Sequence, residues 1–202
     1  FIWANSPSPY GPVALGLAAV VSAVTSNSIL LGVITHRLLS IAGIIVAGWA
    51  ISCLARRCRV SPESALWLGI LNPLTILHLV GGIHNESIML GLLLVGMELG
   101  LRGVDKLDAS RRSAYLALVA SGFCLSCAGM VKVTGFIGLG FVGMAYARRL
   151  INAHGTARWK ALAYAIALQI IVLVATVALI SVCTGISLGW ITGQGGAASI
   201  RS

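Results

Sequence analysis

From Ala161 to Cys183 the chain runs twenty-three residues without one charged side chain. As a helix that stretch is about 34 Å long, enough to cross the ~30 Å hydrocarbon core of a bilayer. At that depth no water satisfies the backbone, so the segment is committed to helix. The rest of the chain reads the same way. Of 202 residues, 58% are hydrophobic and 9% charged, with a mean hydropathy of +0.97. A water-soluble domain carries about a quarter charged residues. The composition predicts an all-α, polytopic transmembrane bundle in contact with membrane lipids.

Charge clusters and turn residues divide the apolar runs. "FIWANSPSPYGP", with Pro7, Pro9 and Pro12, reads as an extended loop. "VALGLAAVVSAVTS" is too short for an ordinary span of ~20 residues and is expected to lie at the interface or re-enter. Leu38 to Leu54 ends in Arg56, Arg57 and Arg59. Pro62 and Glu63 then suit a helix start, with the helix expected from Glu63 to Val80 and its partner from Asn85 to Leu101. Ser113 to Met130, Val133 to Ala147 and Ala161 to Cys183 complete six expected spans. The Gly-rich end from "GISLGW" returns to interface or loop.

The net charge of +9 reports orientation, because no basic stripe interleaves with aromatics as a nucleic-acid surface requires. If the Arg56 loop is cytoplasmic, strict alternation places eleven of the fourteen Lys and Arg residues inside and leaves Arg37, Lys132 and Arg201 outside. The five cysteines form no framework: "CLSC" (Cys124 to Cys127) sits in an apolar run with no His nearby, as helix-packing residues do. Glu98 and Arg102 are spaced for an i,i+4 pair, and Gly96 and Gly100 for helix packing.

The same topology gathers Tyr10, Arg37, His84, Asn85, Glu86 and Lys132 on the outer side, with His78 one to two turns below. Lys132 stands among apolar neighbours, where a lysine costs about 2.5–3.5 kcal/mol at the centre of a spanning helix. It either snorkels from a short turn or holds a ligand. Arg37 is either a solvated rim residue or an anion contact. Glu86 favours a helix start, and Asn85 is a good N-cap. His84 and His78, six apart, fit no helical metal pair. Together the set describes an outward cavity that holds an anion beside a base or a metal ligand, and phosphate is a natural occupant. A divalent cation is compatible with it, though no cofactor is called for.

Several of these stretches, "SPYGP", "HRLLSIAG", "NPLTILHLVGGIHNES", "MVKVTG" and "GISLGW", resemble the actinobacterial polyprenol-phosphate-mannose-dependent α-1,6-mannosyltransferases of the GT-C type. The resemblance spans nearly the whole chain and is most specific in "NPLTILHLVGGIHNES". It implies one transmembrane domain over residues 1–202: the end of a first extracytoplasmic loop with an interfacial helix (1–28), membrane helices (29–184), and an extracytoplasmic or interfacial segment (185–202). It also implies a multi-pass plasma-membrane protein that transfers mannose outside the membrane, from a polyprenyl-phosphate-mannose donor to a mannan or lipoglycan acceptor. On that reading Lys132, Arg37 and His84 contact the donor phosphate, and Asn85, Tyr10 and His78 contact sugar or acceptor. GT-C enzymes carry their main catalytic acid early, yet no Asp or Glu precedes Glu63 here. The main acid is therefore expected upstream of Phe1, with Glu86 the second choice. The family often shows Asp at the position of Glu86, so the carboxylate is kept. The residues alone admit a transporter or lipid flippase almost equally, but no internal repeat supports one. A non-catalytic membrane scaffold would leave the outer cluster unexplained.

Overall fold

The computed structural model describes residues 10–191, and all its regular structure there is helical. Residues 1–9 of the expected loop 1–12 and the tail beyond Ile191, including Arg201, lie outside the described residues. The helices are α1 (Pro12–Val24), α2 (Ile29–Arg57), α3 (Pro62–Gly69), α4 (Pro73–Thr75, continued as a π-helical turn Ile76–Gly81), α5 (Glu86–Asp105), α6 (Arg111–Val131), α7 (Ile137–His154) and α8 (Arg158–Thr184). A 3-10 turn, Val133–Phe136, joins α6 to α7.

Four of them, α2, α5, α6 and α8, are long and apolar enough to cross a membrane, and the bent pair α3–α4 makes up to five. The expected fifth run, Val133 to Ala147, becomes the 3-10 turn plus α7, whose last turns carry Arg148, Arg149 and His154 and bring it below that measure. The helix expected to run unbroken from Glu63 to Val80 is instead bent by 48°. Asn72 accepts from Leu74 N–H as a cap and Pro73 starts a new helix, which stops α3 at Gly69.

α5 is the central helix, and close backbone approaches set its neighbours. A Cβ on Gly91 would fall 2.7 Å from the Gly43 carbonyl oxygen of α2. One on Gly100 would fall 2.5 Å from Val142 of α7 and 2.7 Å from Ser121 of α6, so this glycine of the expected packing pair has no room for a side chain. Ser121 Oγ donates across the same interface to the Gly96 carbonyl at 2.6 Å. With Arg57 against Glu98, Leu93 against Gly138, Leu118 against Gly103, Tyr115 beside Tyr164 and Val172 against Gly122, α2, α5 and α7 run parallel, and α6 and α8, parallel to each other, run antiparallel to those three. Leu118, Leu125, Val142, Tyr146 and Ala161 fill the core between them. Cys127 is buried in α6 as a packing residue.

The basic loops meet at one end. Arg57 pairs with Asp105 at 2.5 Å, and Asp108 pairs with Arg149 and, at 3.1 Å, with His154. At the other end, α1 meets the ends of other helices: Gly11 against Met130, Gly16 against Thr184, and Thr25 near Gly32. Its 13 residues therefore lie along that end of the bundle.

Candidate functional site at the start of α5

The π-helical turn shapes the site. After Gly81 the chain must reverse within a few residues to start α5. It does so through Gly82 and through Ile83, whose φ of +54° places a β-branched residue in the left-handed region. Strain of that kind, of order 1–3 kcal/mol, persists only where the surroundings impose it. Here the outcome is that His84 folds back over Gly82 onto His78. The two rings stack with centroids 4.2 Å apart and planes 20° from parallel. A Cβ on Gly82 would sit 2.6 Å from the His78 carbonyl oxygen and 2.7 Å from His84 Cδ2, so only glycine allows this stack.

Lys132 reaches the same place from the other side. Val131 ends α6, and Lys132 adopts extended backbone (φ −149°, ψ 134°), breaking the helix and aiming its ammonium at α5. Lys132 Nζ donates to Glu86 Oε1 at 2.5 Å. The carboxylate holds the ammonium above the ordinary lysine range, chiefly through that hydrogen bond, against partial burial that works the other way. Glu86 Oε2 is buried with no hydrogen-bond partner among the described residues and lies 3.7 Å from His84 Nδ1. A buried oxygen of this kind has unused acceptor capacity, and in native structures such groups are few. The side chains of Lys132, His84 and Glu86 remain 42%, 39% and 21% exposed, so a ligand can reach them.

Tyr10 packs at the edge of a buried patch of Ala14, Met89, Ala128 and Val131 that lies beneath this pair. Asn85 stands at the cap position but does not cap. Its backbone is already helical (φ −60°, ψ −17°), and the Ser87 hydroxyl binds the His84 carbonyl at 3.0 Å instead. The Asn85 amide is thereby left without a protein partner among the described residues.

Arg37 is not brought to this cluster. α2 begins at Ile29, earlier than expected, so Arg37 falls inside a helix. It precedes the α5-facing Gly43 by six residues, about 240° around the axis, and is exposed without an ion pair among the described residues. A metal finds no ready cage either. The two imidazoles stack face to face, and among the described residues no group of three or more His, Cys, Asp and Glu is placed to hold an ion.

At the opposite end the structure adds what spacing alone did not reveal. Glu98 pairs with Arg102 at 2.7 Å as expected, but Arg57 of α2 also clamps it at 2.7 Å. Arg102 in turn lies over the Trp49 ring at 5.2 Å.

Residues 1–148 match the family described as alpha-(1->6)-mannopyranosyltransferase, N-terminal domain. The chain belongs to this family. Alpha-(1->6)-mannopyranosyltransferase B of Corynebacterium glutamicum is 61% identical over 203 residues, which cover all of this chain and 34% of that protein. A probable alpha-(1->6)-mannopyranosyltransferase of Mycolicibacterium smegmatis is 37% identical over 216 residues, covering all of this chain and 38% of its own length. Alpha-(1->6)-mannopyranosyltransferase A of Mycobacterium tuberculosis is 32% identical over 199 residues, 98% of this chain and 36% of that protein. The chain thus spans little more than a third of the length of these curated relatives. No solved structure matches it.

Proposed function

We propose that this chain forms the donor-binding part of a membrane mannosyltransferase. Mannose would pass from a polyprenyl-phosphate-mannose donor to a mannan or lipoglycan acceptor at the extracytoplasmic face of the plasma membrane. The gathering of basic loops at the far end of the bundle supports that orientation through the positive-inside bias. Family membership supports mannosyl transfer, and a phosphate-linked lipid donor suits a cation placed at a helix break next to apolar helix surface.

The observation that carries the reading is the Lys132–Glu86 pair, with one carboxylate oxygen used and the other buried and unmatched beside His84. Displacement at the anomeric carbon breaks the sugar–oxygen bond of the phosphodiester and releases polyprenyl phosphate, a monoester that leaves without a proton and whose developing charge a nearby cation stabilises. Lys132 is assigned to that phosphate with His84 assisting, while Asn85, Tyr10 and His78 contact sugar or acceptor hydroxyls. The acceptor hydroxyl needs a base. Glu86, already bound to an ammonium, is better suited to hold a hydroxyl through Oε2 than to take its proton. The principal base is assigned to the part of the protein that this chain does not cover. Arg37, turned away from α5, has no part in this assignment.

The test is transfer of labelled mannose from a synthetic polyprenyl-phosphate donor by the full-length protein. Lys132→Ala should lower turnover by about 10²–10³, the scale for losing one stabilising donor at a charged transition state. Glu86→Gln should lower it less. Wild-type turnover in both variants would remove this end of the bundle from the reaction.

A further inference from the structure

A cavity separate from the Lys132–Glu86 site lies among the basic loops between α6, α7 and α8. Its volume is about 500 Å³, within the ~300–1,000 Å³ of small-ligand sites. The lining is graded. Arg111, the first residue of α6, and His154, the last of α7, stand at its polar end. Tyr115 and Tyr146 come next, their hydroxyls 3.1 Å apart. Leu168 and Ile171 of α8 line its apolar end. From His154 to Tyr146 the cavity follows α7 for about 12 Å.

Donors outnumber acceptors here. Asp108 is taken by Arg149 and His154, and Arg111 has no carboxylate partner among the described residues. Arg149 Nε is buried with no acceptor among them. α6 and α8 both point their N-termini at this end, which adds positive potential. The mouth opens sideways as well as endways, because the lining residues Tyr164 and Ile171 are 57% and 66% exposed on the flank of α8. α8 is the most apolar of the spanning helices, and only 11% of its most apolar window is buried.

We propose that this cavity binds an anionic phospholipid. The phosphate sits between Arg111 and His154, the glycerol esters accept from the tyrosine hydroxyls, and the first acyl carbons lie against Leu168 and Ile171. A soluble anion would use the polar end alone and leave the apolar end and the lateral mouth without a role. The lipid matches both, because its charge and its hydrocarbon are joined across the length that the cavity spans.

The test uses the full-length protein in a non-ionic detergent, by native mass spectrometry and by thermal unfolding. It is titrated separately with phosphatidylglycerol, phosphatidylcholine and inorganic phosphate. Phosphatidylglycerol should be retained and should raise the unfolding temperature, as a ligand specific to the native state does, while the other two do neither. Arg111→Gln should weaken phosphatidylglycerol binding about tenfold or more. Leu168→Trp, which fills the apolar end without altering charge, should weaken it too. Arg148→Gln, a change at a base of the same end that does not line the cavity, should stay within about twofold of wild type. Equal retention of phosphatidylcholine, an equal response to inorganic phosphate, or equal losses in the Arg111 and Arg148 variants would overturn the proposal.

Discussion

Replacing Glu98 by Gln removes one charge from the interior of α5 and keeps the shape of the side chain. The carboxylate is only 3% exposed and accepts from Arg57 Nε at 2.7 Å, from Arg102 Nε at 2.7 Å and, more weakly, from Arg57 Nη2 at 3.3 Å. Hydrogen bonds to charged groups contribute about 1.5–3 kcal/mol each, so the two short ones amount to roughly 3–6 kcal/mol before compensation. Compensation is substantial. Arg57 and Arg102 are 27% and 41% exposed and can recover water, Arg57 keeps Asp105, and the oxygen of the introduced carboxamide still accepts one bond. A net loss of about 2–3 kcal/mol is expected, below the 3–5 kcal/mol of a fully buried pair broken on one side. The measurement is denaturant unfolding of the full-length protein in detergent, with Glu98→Gln, Arg57→Gln and the double variant compared as a cycle. The coupling should be at least about 1 kcal/mol. A single-variant loss under about 0.5 kcal/mol, or a coupling of zero, would show that the clamp does not hold α2 to α5.

Three other outcomes follow from the site and its supports. Gly82→Ala places a methyl group against the His78 carbonyl and the His84 ring, so turnover should fall about tenfold or more and unfolding should change by about 1–3 kcal/mol. Unchanged turnover would mean that the His78–His84 stack has no part in the reaction. Gly100→Ala drives a Cβ into Val142 and Ser121 and should cost about 1–3 kcal/mol by unfolding, with a partial recovery when Val142 is also reduced to Ala. The last concerns pH. Glu86 raises the Lys132 pKa above its ordinary 10.5, so wherever Glu86 is ionised the lysine's share of the pair's stabilisation is complete below that value and is lost as pH rises through the raised folded value. An alkaline limb in the pH–rate profile below pH 10.5 therefore belongs to another group, and its movement in Lys132→Arg would refute the pairing.

Local rules make much of this architecture legible. The apolar runs and basic loops are visible as periodicity and charge, and the Glu98–Arg102 pair follows from one helical turn. Arg57, 41 residues away from Glu98, is placed only by the packing of α2 on α5. The bend at Asn72–Pro73 has a local signal, a capping residue before a proline, but apolar residues on both sides disguise it as one continuous helix. The His78–His84 stack is hidden for a different reason. It needs a π-helical turn followed by an isoleucine at positive φ, and local preference argues against both. Asn85 has the residue type of a cap, yet the backbone enters the helix early and leaves its amide unused.

The two ends of α5 are better understood as one device. Glu86 opens the helix and Glu98 lies twelve residues on, about 18 Å along the axis. Between them Gly91 and Gly96 bring α2 and α6 to backbone distance, where a shift of even one residue would drive side chains into main chain. Such an interface has few alternative registers, and the Arg57–Glu98–Arg102 clamp selects one of them with charge. The position of the Glu86 carboxylate against Lys132 is then set from the far end of the same helix. Loosening the clamp should therefore act on the Lys132 site through register. Glu98→Gln should lower turnover more steeply as temperature rises than Asn85→Ala, which removes a contact and leaves the helix in place.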